Sequence, residues 1–237
     1  MKILVLSMDT EKGQMRRSLL NYEYEWIKSI DASEELKKRF SFRYNITDNK
    51  RKAIENCFAS HLNILKHIVN NKLNEVVVCE DDCFKINDID YSTIKDITLL
   101  GGVIRHPTSW DKDKEFQKNN DITFEEGVNK IDYKKYRWSG AFAIYYPSWE
   151  QSNDLLNTIL SKTSYRHYDL FLSKNKLINY LYYPTPYIHC DNMNKEGCYC
   201  KSTSQIGGGD GIIENYKNLG KDRITFEKMK VKFQLEI

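Results

Sequence analysis

The sequence predicts a layered α/β fold with a mostly parallel central sheet flanked by helices. Short apolar or β-branched runs, typical of buried strands, occur at residues 2–7, 75–79, 97–104 and 140–146. Segments with helical spacing of apolar residues lie between several of these runs, and such alternation is typical of a sheet with crossover connections. No internal repeat or low-complexity linker interrupts the chain, so we expect one domain over 1–237.

The first third of the chain contains two predicted strands and two predicted helices. The run from Lys2 to Ser7 contains four consecutive apolar residues, Ile3 to Leu6, as expected of a strand buried on both faces. Apolar residues recur at helical spacing over 16–30 and, as a longer stripe, over 52–69. A second short strand is predicted from Phe40 to Tyr44.

The remaining elements follow the β-branched run Glu75–Cys79, which is strongly strand-like. Ser148 is a candidate N-cap for a helix to Leu160, because its hydroxyl can accept a hydrogen bond from a free backbone N–H. The other predictions are strands at 97–104, 140–146, 180–183 and 187–189, a helix at 169–174, and loops at 105–136 and 191–211.

Bulk composition narrows the function classes. The chain has 237 residues, 41% of them hydrophobic and 29% charged, which is typical of a globular protein and not of a disordered one. A formal net charge of +3 is too small to indicate nucleic-acid binding. No apolar run approaches the ~20 residues that span a bilayer, and the start is interpreted as a strand rather than a signal peptide. We therefore expect no membrane span, a cytoplasmic protein (in the host cytoplasm if the source is a virus) and free thiols at its six cysteines.

Three consecutive acids, Glu80, Asp81 and Asp82, directly follow the predicted strand at 75–79. We call them the acid cluster. Ligands of open α/β sheets gather outside the carboxyl ends of strands, and adjacent carboxylates there are costly without a compensating cation. Hard ions such as Mn²⁺ or Mg²⁺ take oxygen ligands and leave positions for phosphate oxygens. The alternative interpretation is a solvated acidic turn.

Several segments resemble glycosyltransferase family 25, which includes lipooligosaccharide and collagen galactosyltransferases. The most specific are Ala59-Ser60-His61-Leu62 and Val76-Val77-Val78-Cys79-Glu80-Asp81-Asp82, similar to the family's helix followed by its acidic signature. Weaker similarities are the opening Leu6-Ser7-Met8-Asp9 with Arg16-Arg17, the strand 139–144, Asp169 and Ser204-Gln205-Ile206. Ser7 stands where the family commonly has Asn, and 105–136 matches no family segment.

The resemblance implies a GT-A-like (Rossmann-like) fold, a metal-dependent reaction with Mn²⁺ and a nucleotide-sugar donor. Under this hypothesis a sugar passes from a nucleotide-diphosphate sugar, most simply a UDP-sugar, to a hydroxyl of a glycan or glycoprotein acceptor with inversion. The diphosphate leaves at the acid cluster, where the metal acts as a Lewis acid.

Asp82, the last acid of the cluster, is the expected direct metal ligand. Glu80 would contact the donor ribose or a metal-bound water, or complete the metal site, and Asp81 could take the same donor-side roles. His189 is the candidate second protein ligand, with a histidine at a strand end as the alternative.

An inverting transfer needs a base that accepts the acceptor's hydroxyl proton. Asp169 is our candidate, and its alternative is an acid that interacts with a helix N-terminus. Arg16 and Arg17 are expected near the nucleotide phosphates, because guanidinium matches phosphate geometry, although one of them could lie on a solvated helix face. Ser7 and Met8, at the end of the first strand, are expected to line the base pocket. His61, at helical spacing with apolar neighbours, is interpreted as a core histidine.

Two other function classes compete with this hypothesis. A metal-dependent phosphohydrolase also uses clustered acids, but it usually has ligands at several strand ends, and the chain has only five histidines. A non-catalytic nucleotide-sugar- or carbohydrate-binding module would hold a cation without turnover.

Overall fold

A mixed seven-stranded sheet with helices packed against it organises the chain. The computed structural model describes residues 1–42, 46–109, 112 and 122–189, together with the backbone of 191–194 and 197–199. The α/β class predicted from the sequence is therefore confirmed.

The sheet has the strand order β2-β1-β3-β7-β5-β8-β6, and two small sheets, β4-β9 and β10-β11, accompany it. The strands are β1 (Lys2–Ser7), β2 (Glu25–Lys28), β3 (Val76–Glu80), β4 (Cys83–Lys85), β5 (Thr98–Arg105), β6 (Gly127–Lys130), β7 (Arg137–Tyr146), β8 (Tyr180–Tyr183), β9 (Tyr187–His189), β10 (Asp191–Asn194) and β11 (Gly197–Tyr199).

The expectation of a mostly parallel sheet is wrong. β1 pairs in parallel with β2 and β3, and β5 with β8, whereas β7 is antiparallel to both β3 and β5, and β6 is antiparallel to β8. Arg105 at the end of β5 is in register with Arg137 at the start of β7. β7 therefore begins beside the end of β5, at the same end of the sheet, and the two strands run antiparallel.

The helices are α1 (Glu11–Arg17), α2 (Glu34–Lys37), α3 (Asp48–Asn70), α4 (Trp149–Leu160) and α5 (Tyr168–Lys174), with a short 3₁₀ turn at Tyr91–Thr93. The predicted cap is confirmed, because the Ser148 hydroxyl accepts a hydrogen bond from the backbone of Gln151. The helices predicted over 52–69 and 169–174 are confirmed with small extensions.

The helix predicted over 16–30 is wrong. α1 ends at Arg17, and Glu25–Lys28 form β2, whose residues alternate between half-buried and exposed. Pairing with β1 from Leu4 to Ser7 favours this strand. A parallel ladder against a buried strand therefore outweighs the local helical spacing of Trp26 and Ile27.

Three smaller predictions are also corrected. Asp191–Asn194 and Gly197–Tyr199 form an antiparallel pair, so the predicted loop at 191–211 is wrong there, and its remainder lies outside the described residues. Gly127–Lys130 in the predicted loop at 105–136 forms β6. Phe40 makes only an isolated bridge with Tyr165, and 43–45 lie outside the described residues.

Apolar side chains cover both faces of the sheet. Leu4, Leu6, Val76 and Val78 belong to the cluster that contains the buried residues of α3, α4 and α5. Their strand neighbours Ile3, Val5, Val77 and Cys79 belong to a second cluster on the opposite face. Burial on two faces explains why β1 and β3 are continuous apolar runs in the sequence. The parallel register of β1 with β3 places the ends of these two strands side by side.

Two further observations concern the described part of the chain. None of the helices there combines the length and apolarity that crossing a bilayer requires. Cys57, Cys79 and Cys83 are free thiols, as predicted. Cys190, Cys198 and Cys200 have no described side chains.

Candidate metal centre

The acid cluster lies where two parallel strands end together. Leu6 of β1 is in register with Glu80 of β3, so Ser7 and the acid cluster meet at the carboxyl edge of the sheet. The chain then enters β4, whose first residue Cys83 pairs with His189 at the end of β9. This pairing brings His189 to the same edge, although it comes from a distant part of the sequence.

Ser7 links the first strand to the acid cluster. Its buried hydroxyl donates a hydrogen bond of 2.6 Å to Oδ2 of Asp81 and accepts one of 2.6 Å from Nη1 of Arg17. Arg17 also donates to the backbone carbonyl of Met8, at 2.9 Å. Gly13 permits this close approach of α1, because a Cβ at that position would lie 2.1 Å from the Met8 carbonyl oxygen.

Arg16 bridges two acids of the cluster. Its Nη1 lies 2.8 Å from Oδ1 of Asp81 and 3.0 Å from Oδ2 of Asp82, and all three side chains are largely buried. Burial acts to lower the pKa of Arg16, but the charges of Asp82 and Asp81 outweigh it and raise the pKa above its usual value. Arg16 therefore supplies part of the positive charge that the sequence argument assigned to a metal. Three carboxylates outnumber this one guanidinium, so a divalent ion would offset further negative charge.

His189 contacts the same oxygen of Asp82 as Arg16 does. Its Nε2 lies 3.3 Å from Oδ2 of Asp82, and its ring packs 5.6 Å from that of Phe142. Burial acts to raise the pKa of Asp82, but His189 and Arg16 outweigh it and lower the pKa. Asp82 is thus held as a carboxylate. Its other oxygen, Oδ1, is buried and has no hydrogen-bond partner among the described residues.

Glu80, Asp82 and His189 can hold a metal ion. Each offers one ligand atom, and these atoms all lie within 4.8 Å of one another. The buried, unbonded Oδ1 of Asp82 is the kind of orphaned acceptor that a cation would satisfy. Two carboxylates with one imidazole suit a transition ion such as Mn²⁺ better than Mg²⁺, which prefers oxygen ligands alone.

His61 is nearer to this centre than its sequence context indicates. It is 1% exposed, as expected of a core residue, and stacks on Tyr168 with ring centroids 4.1 Å apart. However, its Nε2 lies 3.4 Å from Oε1 of Glu80. The sequence indicates a core position for His61 because this residue belongs to the apolar stripe of α3. The contact with Glu80 arises because α3 packs against the end of β3.

An open cavity lies at the ends of β1 and β2, near the position at which the sequence predicts the base pocket. Met8 and Trp26 line it and are partly exposed, at 56% and 38%. Ser7 instead directs its hydroxyl to Asp81 and Arg17. The Arg17 guanidinium lies 3.9 Å from the centroid of Trp26, which donates a hydrogen bond to the Ser7 carbonyl. Sequence reasoning did not single out Trp26, because it placed this residue in a helix.

Asp169 lies in the first turn of α5 and is half-buried. Its Oδ2 accepts a hydrogen bond of 2.7 Å from the backbone N–H of Gly140 in β7. Gly140 has φ +77, a conformation that other residues rarely adopt. The carboxylate is therefore oriented by the sheet, and this contact is compatible with both the base role and a structural role.

Comparison with known proteins adds no identification. Neither the protein-family models nor the curated proteins include a match to this chain.

Proposed function

We propose that the chain is a metal-dependent glycosyltransferase with a GT-A-like arrangement. It would transfer a sugar from a nucleotide-diphosphate sugar, such as a UDP-sugar, to a hydroxyl of a glycan or glycoprotein. The observation that supports this most is the convergence of Asp82 and His189 with Arg16 at the carboxyl edge of the sheet. Carboxylates, an imidazole and a guanidinium are together suited to a metal–diphosphate group.

The leaving diphosphate would bind at the acid cluster. Asp82, His189 and Glu80 would hold Mn²⁺, which supplies Lewis-acid stabilisation of the diphosphate. Arg16 is placed to exchange part of its interaction with Asp81 and Asp82 for phosphate oxygens once a cation neutralises these acids. Arg17 is committed to Ser7 and the Met8 carbonyl, so we assign it to shaping the pocket rather than to direct phosphate contact.

The nucleoside would occupy the cavity lined by Met8 and Trp26. The indole of Trp26 is 38% exposed, and the nucleobase would stack on its exposed part. Met8 of this cavity directly follows Ser7, whose hydroxyl bonds Asp81, so a nucleotide would extend from the cavity past Ser7 toward the acid cluster.

Asp169 would accept the proton of the acceptor hydroxyl. The acceptor oxygen would then attack the anomeric carbon while the bond between that carbon and the diphosphate oxygen breaks. Attack from the side opposite the leaving group would give inversion. The hydrogen bond from Gly140 fixes the carboxylate, which would lower the reorganisation needed for proton transfer.

The test is a screen of nucleotide sugars against the purified chain with Mn²⁺. We expect one class of donor to raise the melting temperature in a metal-dependent manner and to be slowly hydrolysed, with release of the nucleoside diphosphate. Asp82→Ala should abolish both effects. Asp88→Asn is the matched control, since Asp88 is a fully exposed acid paired with Lys85.

The same screen separates the competing classes. A donor-dependent thermal shift without release of product would identify a binding module. Hydrolysis of simple phosphate esters without preference for nucleotide sugars would identify a phosphohydrolase. Absence of both shift and hydrolysis across the donor library would refute the glycosyltransferase proposal.

A further inference from the structure

A second group of ligand-type side chains lies beside the acid cluster. Cys57 and His61 are four residues apart on α3 and therefore share one helix face. Glu80 reaches the same place from the end of β3, and the three residues offer ligand atoms that all lie within 4.8 Å of one another. We propose that Cys57, His61 and Glu80 form a second cation site, one that takes a soft divalent ion such as Zn²⁺.

The distance between the ligand atoms of His61 and Glu80 is suitable for binding one ion. Nε2 of His61 and Oε1 of Glu80 lie 3.4 Å apart. Two ligands at zinc distances of about 2.0–2.1 Å in a tetrahedral arrangement are separated by about 3.3 Å. The imidazole is clamped by its stacking on Tyr168, with an interplanar angle of 7°. Little reordering of this side chain would therefore accompany binding.

His61 is buried whereas Cys57 is exposed, so the two residues can contribute differently to ion binding. His61 is 1% exposed, and its Nδ1 is buried without a hydrogen-bond partner among the described residues. Cys57 is an exposed residue of α3, so an ion can reach the group from solvent. Binding through sulfur requires the thiolate, so a bound cation would displace the thiol proton of Cys57.

The ligand chemistry distinguishes this group from Glu80, Asp82 and His189. A thiolate with an imidazole selects Zn²⁺ or Co²⁺, whereas carboxylates suit Mn²⁺ and Mg²⁺. Glu80 belongs to both groups, but Cys57 and His61 belong only to the soft one. A Cys57 variant therefore tests this site without touching Asp82 or His189, and the proposal does not depend on glycosyl transfer.

Cobalt titration of the metal-free, reduced 237-residue chain tests the proposal. We expect a thiolate-to-cobalt charge-transfer band in the near ultraviolet that is lost in Cys57→Ser and weakened at least tenfold in affinity in His61→Gln. Asp82→Asn should retain the band, because it alters only the other group. Absence of the band in the wild-type chain, or an unchanged band in Cys57→Ser, would overturn the proposal.

A second measurement uses the unaltered protein. Alkylation of Cys57, followed by peptide mass spectrometry, should be slowed at least tenfold by Zn²⁺ at micromolar concentration and not by Mn²⁺. Equal alkylation rates with and without Zn²⁺ would also overturn the site. Mn²⁺-dependent donor hydrolysis is scored separately, so failure of this proposal is distinguishable from failure of the proposed function.

Discussion

Nε2 of His189 lies 3.3 Å from Oδ2 of Asp82, and this pair closes the candidate metal centre. The contact depends on the antiparallel pairing of β4 with β9, in which Cys83 is opposite His189. The residue that follows the acid cluster thus sets the position of the imidazole. A metal site assembled this way draws its ligands from two separate parts of the chain and forms only in the folded protein.

Asp82→Asn and His189→Gln should each weaken Mn²⁺ binding by at least tenfold, because each removes one of three ligand groups. Isothermal titration calorimetry on the purified chain measures the effect. The exposed Asp88→Asn variant should bind Mn²⁺ like the wild type. Unchanged affinity in both site variants would place the metal elsewhere.

Arg16→Ala should lower the free energy of unfolding by about 1–3 kcal/mol, because it leaves Asp81 and Asp82 buried without their shared cation. Mn²⁺ should restore more stability to this variant than it adds to the wild type, since the ion replaces the missing positive charge. Urea unfolding with and without Mn²⁺ measures both effects. Equal stabilisation of variant and wild type by Mn²⁺ would indicate that the ion does not reach these acids.

Much of the fold could be predicted from the sequence because its strongest signals are local. The apolar runs that became β1, β3 and β5 are buried on both faces, and the stripe of α3 covers one of those faces. β2 was missed because Trp26 and Ile27 have helical spacing, whereas pairing with β1 decides their structure. The direction of β7 was missed for a similar reason, since strand direction depends on where the chain re-enters the sheet.

The candidate site was predictable in composition but not in connectivity. The acid cluster directly follows a strand, so its position at the sheet edge follows from the sequence. The ion pairs of Arg16 with two acids, and the contact of His61 with Glu80, depend on packing of α1 and α3 against that edge. Contacts between residues that are far apart in the sequence cannot be predicted from the spacing of residues along the chain.

Gly140→Ala should destabilise the chain more than Gly127→Ala. Both glycines have positive φ, at +77 and +97, so each substitution strains the backbone. A Cβ at Gly140 would also lie 2.9 Å from the ring of the buried Phe142, whereas one at Gly127 would meet nothing within 4 Å. We expect losses of about 2–4 and about 1–2 kcal/mol in urea unfolding. Equal losses would show that the Phe142 ring moves aside freely.

Stability should fall as the pH rises from about 10 to 12, because buried tyrosines resist ionisation. Burial raises the pKa of Tyr133 and of Tyr136 to about 12. Their folded-state pKa values lie above the unfolded values, so this contribution is fully present below pH ~10 and is lost toward the folded pKa. Urea unfolding between pH 8 and 11 measures the trend. A flat profile above pH ~10 would contradict it.

Asp169→Asn should separate the base role from the structural role. An amide oxygen can still accept the hydrogen bond from Gly140, so the fold and donor binding should remain close to those of the wild type. Transfer to the acceptor should fall by at least a hundredfold, because an amide does not take the hydroxyl proton. Asp169→Ala should lose the hydrogen bond as well and should reduce both transfer and stability. If Asp169→Asn transfers sugar at the wild-type rate while Asp169→Ala is destabilised, the carboxylate serves β7 alone, and the base lies on another residue.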